Sequence, residues 1–273
     1  MEADLMVEMV VPAAGAELAA DRMWQAGATA VLLREEAATT TVAASFPTAD
    51  AARQVAADMA PAAALVAADP AWRHAWRAHA VAVPVGDGLL VAPAWREVPV
   101  GTGRLVLRID PGDSFGSGSH ASTRLVLAAL DRRPPAGTDQ VLDLGCGSGI
   151  LSVAAARLGA ARVTAVDIEP EALAVTRANA AANGVGDRVV ADAPSLDAVT
   201  GPFDVALVNV TAAVHATLGA GVVGRMAAGG RIVLSGLLAG QWRHVSDAYA
   251  GSRVVAPLAL DGWEGLELEV GRG

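Results

Sequence analysis

Two carboxylates and a cluster of glycines lie within one short stretch of this chain, at spacings typical of a nucleotide-binding site. Asp143 ends a hydrophobic run and precedes the motif G-C-G-S-G, whose glycines are Gly145, Gly147 and Gly149. A helical stretch follows, and then a second apolar run that ends on Asp167. Strand, glycine loop, helix, strand and terminal acid predict a nucleotide-binding βαβ unit. Glycines let the backbone approach a ligand closely, and the terminal acid can accept hydrogen bonds from ribose hydroxyls.

The spacing of these glycines separates two kinds of ligand. Dinucleotide-binding loops read G-x-G-x-x-G and place a pyrophosphate on the helix N-terminus. Here the glycines alternate and Asp143 lies two residues ahead of them. A carboxylate at that place opposes a pyrophosphate but tolerates a cation. S-adenosylmethionine carries an ammonium, a sulfonium and a ribose, and the D-x-G-x-G-x-G pattern resembles that of class I methyltransferases. The pattern therefore favours S-adenosylmethionine over NAD as the cofactor.

The composition excludes several classes of protein and of catalyst. The chain has 273 residues, 53% hydrophobic and 18% charged, so it can bury a sizeable core. Its net charge of −9 does not favour a protein that grips nucleic acid. All 20 basic residues are arginine, which excludes a lysine general base. The single cysteine, Cys146, permits no disulfide within the chain, and no residue cluster has metal-ligand spacing.

The location in the cell is predicted from two further observations. The first residues, M-E-A-D-L, are acidic and unlike a secretory signal. No uninterrupted apolar stretch reaches the length that a membrane helix requires. We therefore expect a cytoplasmic protein that does not contact a membrane.

The pattern of apolar residues predicts two domains joined by a connector. Residues 1–67 show the order β-α-β-β-α-β, which predicts a small ferredoxin-like α+β domain. Residues 68–79 predict a helical connector, in which Trp72 and Trp76 share one face. Residues 80–273 begin with short β pieces and continue as regularly alternating helices and strands. These boundaries give an N-terminal domain, a linker and a catalytic domain.

The alternation after about residue 120 predicts a doubly wound, largely parallel, Rossmann-like sheet. Ligands bind such sheets at the carboxyl ends of the strands, and Asp143, Asp167 and Asn209 all fall at predicted strand ends. Near the C-terminus we expect a turn at Gly229–Gly230 and a helix over Gln241–Ala250. The fold class is therefore α/β with the small α+β domain in front of it.

A polar, glycine-rich segment, D-P-G-D-S-F-G-S-G-S-H-A-S-T, precedes this sheet from Asp110 to Thr123 and suits a lid over a ligand. It resembles the D-P-G-x-x-F-G-T-G-x-H-x-T-T loop of the bacterial ribosomal protein L-11 methyltransferase (PrmA) family. The motifs P-A-W-R-E-V-P, L-D-L-G-C-G-S-G-I-L, V-D-I-E-P and L-S-G-L-L-A are also similar to that family. The resemblance covers essentially the whole chain.

The resemblance implies a protein N-methyltransferase that uses S-adenosylmethionine to methylate lysine and N-terminal amines of ribosomal protein L-11. It implies that the N-terminal domain recognises this protein partner and that the linker lets the domain move. Two alternatives stay open. A related methyltransferase could act on another protein lysine or a small-molecule amine, and a non-catalytic module could bind the cofactor or the ribosome.

The resemblance also assigns roles to individual residues. Thr123 contacts the methionine part of the cofactor, Gly145 belongs to the glycine loop, and Asp167 binds the ribose. Asn209 lies beside the transferred methyl group, where we expect it to orient the acceptor amine. The amine must lose a proton before it attacks, and no residue is an evident strong base, so we expect the proton to leave to water.

Phe115 and His120 match the lid of that family. Taken without the resemblance, His120 is predicted to be a loop histidine exposed to water, and the Thr123 hydroxyl could cap a backbone N–H at the helix N-terminus as well as contact the cofactor. Asp192 follows an apolar run, so it could bind the adenine amino group or simply occupy a turn.

The chain departs from the family pattern at two places. V-N-V-T-A, from Val208 to Ala212, stands where the family usually has A-N-I-L-A or A-N-L-Y-A. Ser117 and Ser122 replace the usual threonines but keep the hydroxyl. The first departure affects the acceptor pocket, and therefore the substrate more than the cofactor.

Overall fold

The computed structural model describes residues 5–28, 30–36, 38–46, 48–67, 77, 80–99, 101–112 and 118–272. The chain divides into two compact units, Met1–Ala80 and Val81–Gly273. The tryptophans of the predicted connector, Trp72 and Trp76, lie outside the described residues, as do Phe115 and Ser117 of the predicted lid.

The first unit consists of a four-stranded sheet and two helices. Its elements are β1 (Leu5–Pro12), α1 (Ala16–Gln25), β2 (Ala30–Glu35), β3 (Thr39–Ser45), α2 (Ala49–Asp58) and β4 (Ala63–Ala67). The strands are ordered β2-β3-β1-β4 and every neighbouring pair is antiparallel. Helix α2 begins after Thr48, whose hydroxyl accepts a hydrogen bond from the Ala51 amide at 3.1 Å. This topology confirms the ferredoxin-like α+β prediction.

The second unit contains two sheets and five helices within the described residues. Its elements are β5 (Val83–Val85), β6 (Leu89–Pro93), β7 (Leu105–Ile109), α3 (Ala121–Arg132), β8 (Gln140–Leu144), α4 (Ile150–Leu158), β9 (Arg162–Val166), α5 (Pro170–Ala182), β10 (Val189–Ala193), β11 (Phe203–Asn209), α6 (Ala212–Val223), β12 (Met226–Leu238), α7 (Trp242–Ser246), β13 (Ser252–Leu260) and β14 (Trp263–Val270). The large sheet has the order β10-β9-β8-β11-β12-β14-β13. β14 runs antiparallel to both of its neighbours, and the other pairs are parallel.

Successive residues along the central strands enter two different cores. Val141 and Leu207 pack into one hydrophobic cluster with α3 and α4, whereas Leu142 and Val208 pack into a second cluster with α6. Because side chains alternate across a strand, the two clusters lie on opposite faces of the sheet. The sheet is therefore covered on both faces, and the prediction of a doubly wound, largely parallel sheet is confirmed.

A three-stranded sheet of β5, β6 and β7 packs on the outside of α3, α4 and α5. The buried residues of this small sheet belong to the same hydrophobic cluster as Val141 and Leu207, on the face of the large sheet that α3 and α4 cover. This position brings the end of β7 beside helix α5, which also contacts the glycine loop through Thr176.

Two predictions near the C-terminus were wrong in detail. Gly229 and Gly230 lie inside β12 rather than in a turn, because β12 bulges there opposite β11 and Gly229 takes a φ of +76°. The helix predicted over Gln241–Ala250 is α7 followed by a 3₁₀ turn, Asp247–Tyr249. Among the described residues, no helix has both the length and the apolar character that a membrane span requires.

The order of the large sheet reverses between β8 and β11, since β9 and β10 lie on one side of β8 and β12 on the other side of β11. Crevices at the carboxyl ends of strands form at such switch points in open α/β sheets. The glycine loop follows β8, and Asn209 is the last residue of β11. The topology therefore places the predicted site residues at one crevice.

Candidate functional site

The glycine loop turns sharply between β8 and α4. Gly145, Gly147 and Gly149 have φ values of +73°, +51° and +76°, a region that residues with a Cβ rarely adopt. The amides of Gly145 and Cys146 both donate to the carbonyl of Val166, at 2.8 and 3.1 Å. The loop is therefore anchored to the end of β9 and presents its backbone to the crevice.

Asp167 follows β9 and is tied to this loop. Its Oδ2 accepts a hydrogen bond from the Gly147 amide at 2.9 Å, and its Oδ1 accepts one from the Glu169 amide at 3.0 Å. Each carboxylate oxygen has a second lone pair, so the oriented carboxylate can still accept hydrogen bonds from two hydroxyls. The geometry suits the ribose-binding role that the sequence predicts.

Asn209 and Thr123 meet across the crevice. The Asn209 Nδ2 donates to the Thr123 Oγ1 at 3.2 Å, although the two residues are 86 positions apart. Thr123 belongs to the first turn of α3 and is 1% exposed. The Asn209 amide oxygen has no hydrogen-bond partner among the described residues. This bond holds one end of the amide and leaves the oxygen as an acceptor at the cavity.

A cavity of about 270 Å³ lies between these groups. It is lined by Thr123, Gly145, Cys146, Gly147, Ile150, Leu151, Asp167, Asn209, Val210, Thr211 and Val214. Most of the lining is apolar, and the polar side chains lie at separate places on the wall. This lining fits S-adenosylmethionine, because an adenine can pack against apolar walls and a carboxylate such as that of Asp167 can accept hydrogen bonds from ribose hydroxyls.

The sequence analysis missed several of these lining residues. Val210 and Thr211 were expected at the acceptor pocket only as part of the V-N-V-T-A segment. The missed residues are Ile150 and Leu151, which form the first turn of α4 directly after the glycine loop, and Val214, which lies in α6 shortly after Asn209. Their positions next to motif residues are the signal that could have indicated them. Their apolar or small side chains otherwise look like ordinary core residues.

Asp143 lies beneath the glycine loop and does not line the cavity. Its side chain is fully buried, Oδ2 accepts a hydrogen bond from the Ser152 hydroxyl at 2.6 Å, and Oδ1 has no partner among the described residues. Burial raises the pKa of Asp143 to about 7, against the opposing effect of its hydrogen bonds with Ser152, and the nearby Asp167 carboxylate raises it further. A direct contact with the cofactor therefore stays a prediction for this residue.

Gly149 and Asp192 also lie away from the cavity lining. Gly149 is the N-cap of α4, and a Cβ there would lie 2.8 Å from the Thr176 Cα, so this glycine permits close packing of α4 and α5. Asp192 is the last residue but one of β10 and is exposed. Its contact with an adenine amino group stays a prediction.

His120 is the N-cap of α3, which changes the interpretation of two residues. Its side chain accepts a hydrogen bond from the Ser122 amide, and its Nδ1 lies 2.8 Å from the Ser122 hydroxyl. The ring also packs edge-on against Trp263, with centroids 4.6 Å apart. Two alternatives were therefore wrong: His120 is not a histidine exposed to water, and Thr123 is not the helix cap.

Cys146 lines the cavity but is 5% exposed. Burial raises the pKa of its thiol, so the sulfur stays protonated and is a poor nucleophile. Across the described part of the chain, no group of three or more His, Cys, Asp or Glu side chains could hold a metal ion.

The chain matches one known protein family over nearly its whole length. A model of the family described as ribosomal protein L11 methyltransferase (PrmA) matches residues 5–268. The chain belongs to the PrmA family. This membership confirms the resemblance inferred from the motifs.

Two relatives of the family align with this chain over different shares of their length. The ribosomal protein L11 methyltransferase of Pelobacter propionicus is 44% identical over 183 residues, which cover 66% of this chain and 59% of that protein. The chain thus spans less than two thirds of that relative. The protein of the same name from Syntrophotalea carbinolica is 36% identical over 287 residues, which cover 93% of each.

A solved PrmA structure is similar as well. The ribosomal protein L11 methylase of Lactobacillus delbrueckii subsp. bulgaricus aligns with a TM-score of 0.62 and 28% identity. The alignment covers 70% of this chain and 99% of the other. This likeness supports the Rossmann-like methyltransferase fold of the PrmA family.

Proposed function

We propose that this protein is an S-adenosylmethionine-dependent protein N-methyltransferase that methylates lysine and N-terminal amines of ribosomal protein L11. The observation that carries the proposal is the cavity at the switch point, where the glycine loop, Asp167 and the Asn209–Thr123 pair converge in a member of the PrmA family. A ribosomal protein as substrate supports a reaction in the cytoplasm, which we propose as its location.

Three parts of the cavity wall would hold the cofactor. Asp167 would accept the ribose hydroxyls, the backbone at Gly145 and Gly147 would lie against the middle of the molecule, and Thr123 would face its methionine part. When bound, S-adenosylmethionine supplies a methyl group on a positively charged sulfur, so its transfer needs no strong acid. The protein must therefore position the acceptor and exclude water.

Asn209 would position the acceptor amine. Its Nδ2 is held by the Thr123 hydroxyl at 3.2 Å, so its oxygen is the group that can accept an N–H from a neutral amine. This acceptor selects the amine's orientation but is too weak a base to remove a proton from an ammonium group. The proton of the acceptor would therefore leave to water before attack, and activity should rise with pH toward the pKa of the substrate amine.

The two structural units support different roles for the two predicted domains. We propose that residues 1–67 recognise the protein substrate and that residues 80–273 contain the cofactor site. Residues 68–79 would link the two domains. The site residues described above all belong to the unit Val81–Gly273. A truncated chain beginning at Val81 should keep cofactor binding and lose methylation of L11.

A second candidate acceptor rests on a specific observation. Val210 and Thr211 line the cavity and belong to the V-N-V-T-A segment, where the sequence departs from the usual family pattern. Another protein lysine or a small-molecule amine is therefore the alternative acceptor for the same chemistry.

A methyl-transfer assay distinguishes these functions. Purified protein and cofactor labelled in the methyl group are incubated with L11, with a total ribosomal protein fraction, or with a small-molecule extract. Label on L11 alone supports the proposal, and label on another acceptor supports the second candidate. Cofactor binding without any transfer would instead indicate a non-catalytic module.

A further inference from the structure

One face of helix α5 binds the glycine loop. Thr176 Oγ1 donates to the carbonyl of Gly147 at 3.1 Å, and Asn179 Nδ2 donates to the carbonyl of Ser148 at 2.8 Å. Thr176 is fully buried and Asn179 is 3% exposed. Two successive carbonyls of the loop that lines the cavity are therefore held by two side chains one turn apart on the same helix.

Asn179 also binds the chain that leaves β7. Its Oδ1 accepts a hydrogen bond from the Asp110 amide at 3.0 Å, and its Nδ2 donates to the Asp110 carbonyl at 2.8 Å. Asn183, the C-cap of α5, makes the same pair of bonds with Arg108, at 2.9 and 2.7 Å. A separation of four residues in a helix spans about 6 Å and two residues in a strand about 6.6 Å, so the two amides match alternate residues of the extended chain.

The difference between the two asparagines is their third bond. Asn179 reaches Ser148 in the glycine loop, whereas Asn183 donates to the carbonyl of Asn179 within its own helix. Both side chains are buried, with exposures of 3% and 7%. Of the two asparagines, it is Asn179 that joins the glycine loop to the chain at Asp110.

Two described residues further along the chain also reach the cavity. A Cβ at Gly118 would lie 2.5 Å from the Cδ1 of Ile150, which lines the cavity, and Thr123 bonds to Asn209. Asp110 is held to the glycine loop through Asn179.

We propose that Asn179 is a positioning residue that couples the glycine loop to the chain just after β7, at Asp110, so that cofactor binding and the order of residues 110–112 depend on one amide. The inference rests on the proposed function, because it concerns how the same cavity holds its cofactor. Asn179 does not line the cavity, so it would act through the backbone at Ser148 and Asp110. If Asn179 had only a structural role, replacing it would lower stability, but it would weaken cofactor binding no more than replacing Asn183 does.

Asn183 provides the matched control. Asn179→Ala and Asn183→Ala each remove a buried amide and its pair of bonds to the extended chain, so both should lower the melting temperature similarly. We expect Asn179→Ala to weaken the binding of S-adenosylhomocysteine about tenfold and Asn183→Ala to weaken it less than about threefold, measured by isothermal titration. Equal dissociation constants for the two variants would overturn the proposal. Asn179→Ser removes the same contacts but keeps a polar side chain. It replaces Asn179→Ala in the titration if the alanine variant does not fold.

Hydrogen exchange separates this inference from the proposed function. In the ligand-free protein, Asn179→Ser should speed exchange both at residues 110–112 and at residues 145–149, whereas Asn183→Ser should leave the glycine loop unchanged. Faster exchange at only one of the two segments in Asn179→Ser would contradict the coupling. A wild-type protein that bound no S-adenosylhomocysteine would contradict the proposed function, and the exchange data would still decide whether Asn179 couples the two segments.

Discussion

The buried carboxyl of Asp143 should make the ligand-free protein less stable as the pH rises. Its side chain has no exposed surface and only one of its two oxygens has a hydrogen-bond partner among the described residues. Burial raises its pKa from 3.8 to about 7. The informative change is Asp143→Asn, which keeps the shape and the acceptor oxygen for Ser152 but cannot become charged.

The magnitude follows from the displacement of the pKa. Between about pH 4 and pH 7 the folded protein holds a proton on Asp143 that the unfolded chain has released, so the free energy of unfolding falls as the pH rises through this window. A displacement of about 3 pH units corresponds to a loss of about 4 kcal/mol. The stabilisation that comes from the protonated Asp143 carboxyl is fully present below about pH 4 and is lost above about pH 7.

Urea unfolding from pH 4 to pH 8, without cofactor, measures this loss. The useful quantity is the difference in unfolding free energy between wild type and Asp143→Asn, because contributions from other titrating groups are common to both. His215 is one such group: burial lowers its pKa to about 4, so its contribution is lost as the pH falls from 6.5 to 4. Asp192→Asn, at an exposed site, serves as the control and should change the free energy little at any pH.

The expected result is a difference that moves by about 4 kcal/mol in favour of the asparagine variant as the pH rises from 4 to 8. A difference that stays constant within about 1 kcal/mol would refute the reasoning, because it would mean that the folded state does not disfavour the charged carboxylate.

Three further predictions concern other parts of the site. Asp167→Ala should weaken cofactor binding by about 2–4 kcal/mol through the loss of hydrogen bonds to two hydroxyls, and an unchanged dissociation constant in a titration would contradict that role. Gly145→Ala should lower the unfolding free energy by about 2–4 kcal/mol, because φ is +73° and the new Cβ would lie 2.6 Å from a neighbouring side chain; Gly137→Ala, with open space around it, is the control and should cost less than about 1 kcal/mol. Tyr249→Phe should cost about 1–3 kcal/mol in urea unfolding, since the Tyr249 hydroxyl lies 2.7 Å from the buried Nδ1 of His215 and is its donor, and a loss below about 0.5 kcal/mol would show that this nitrogen finds another partner.

The elements that carry local patterns could be predicted from the sequence. The glycines at 145, 147 and 149 predict a tight turn after a strand, because positive φ and close backbone approach require glycine there. The acid at 167 indicates the end of the second strand. The alternation of helices with apolar strands likewise predicted a sheet covered on both faces. In each case the requirement is local, so neighbouring residues are enough to state it.

Contacts between distant segments could not be predicted in this way. The Asn209–Thr123 bond joins residues 86 positions apart, and the packing of α3 against β11 brings them together. The asparagines of α5 look like weak helix formers in the sequence, although their spacing of four residues places them on one face. Such side chains obtain their role from a partner segment, here the end of β7, which the helix pattern does not show.

Residues typical of loops that belong to regular elements were the other source of error. His120 looks like a loop residue in a glycine-rich segment, yet it caps α3 because its backbone is extended and its ring is covered by Trp263. Gly229 and Gly230 indicate a turn by composition, yet they form a bulge in β12. Whether such residues lie in a loop or in an element depends on the packing around them.

Mass spectrometry of ribosomal protein L11 after incubation with S-adenosylmethionine tests the central claim most directly. With the wild-type protein, the account predicts a gain of one or more methyl groups on L11, at lysine or at the N-terminal amine. With Asn209→Ala, it predicts a much lower turnover at saturating cofactor, because the amide that orients the acceptor is gone. L11 that gains no mass, or an Asn209→Ala variant with near-wild-type kcat, would contradict the account.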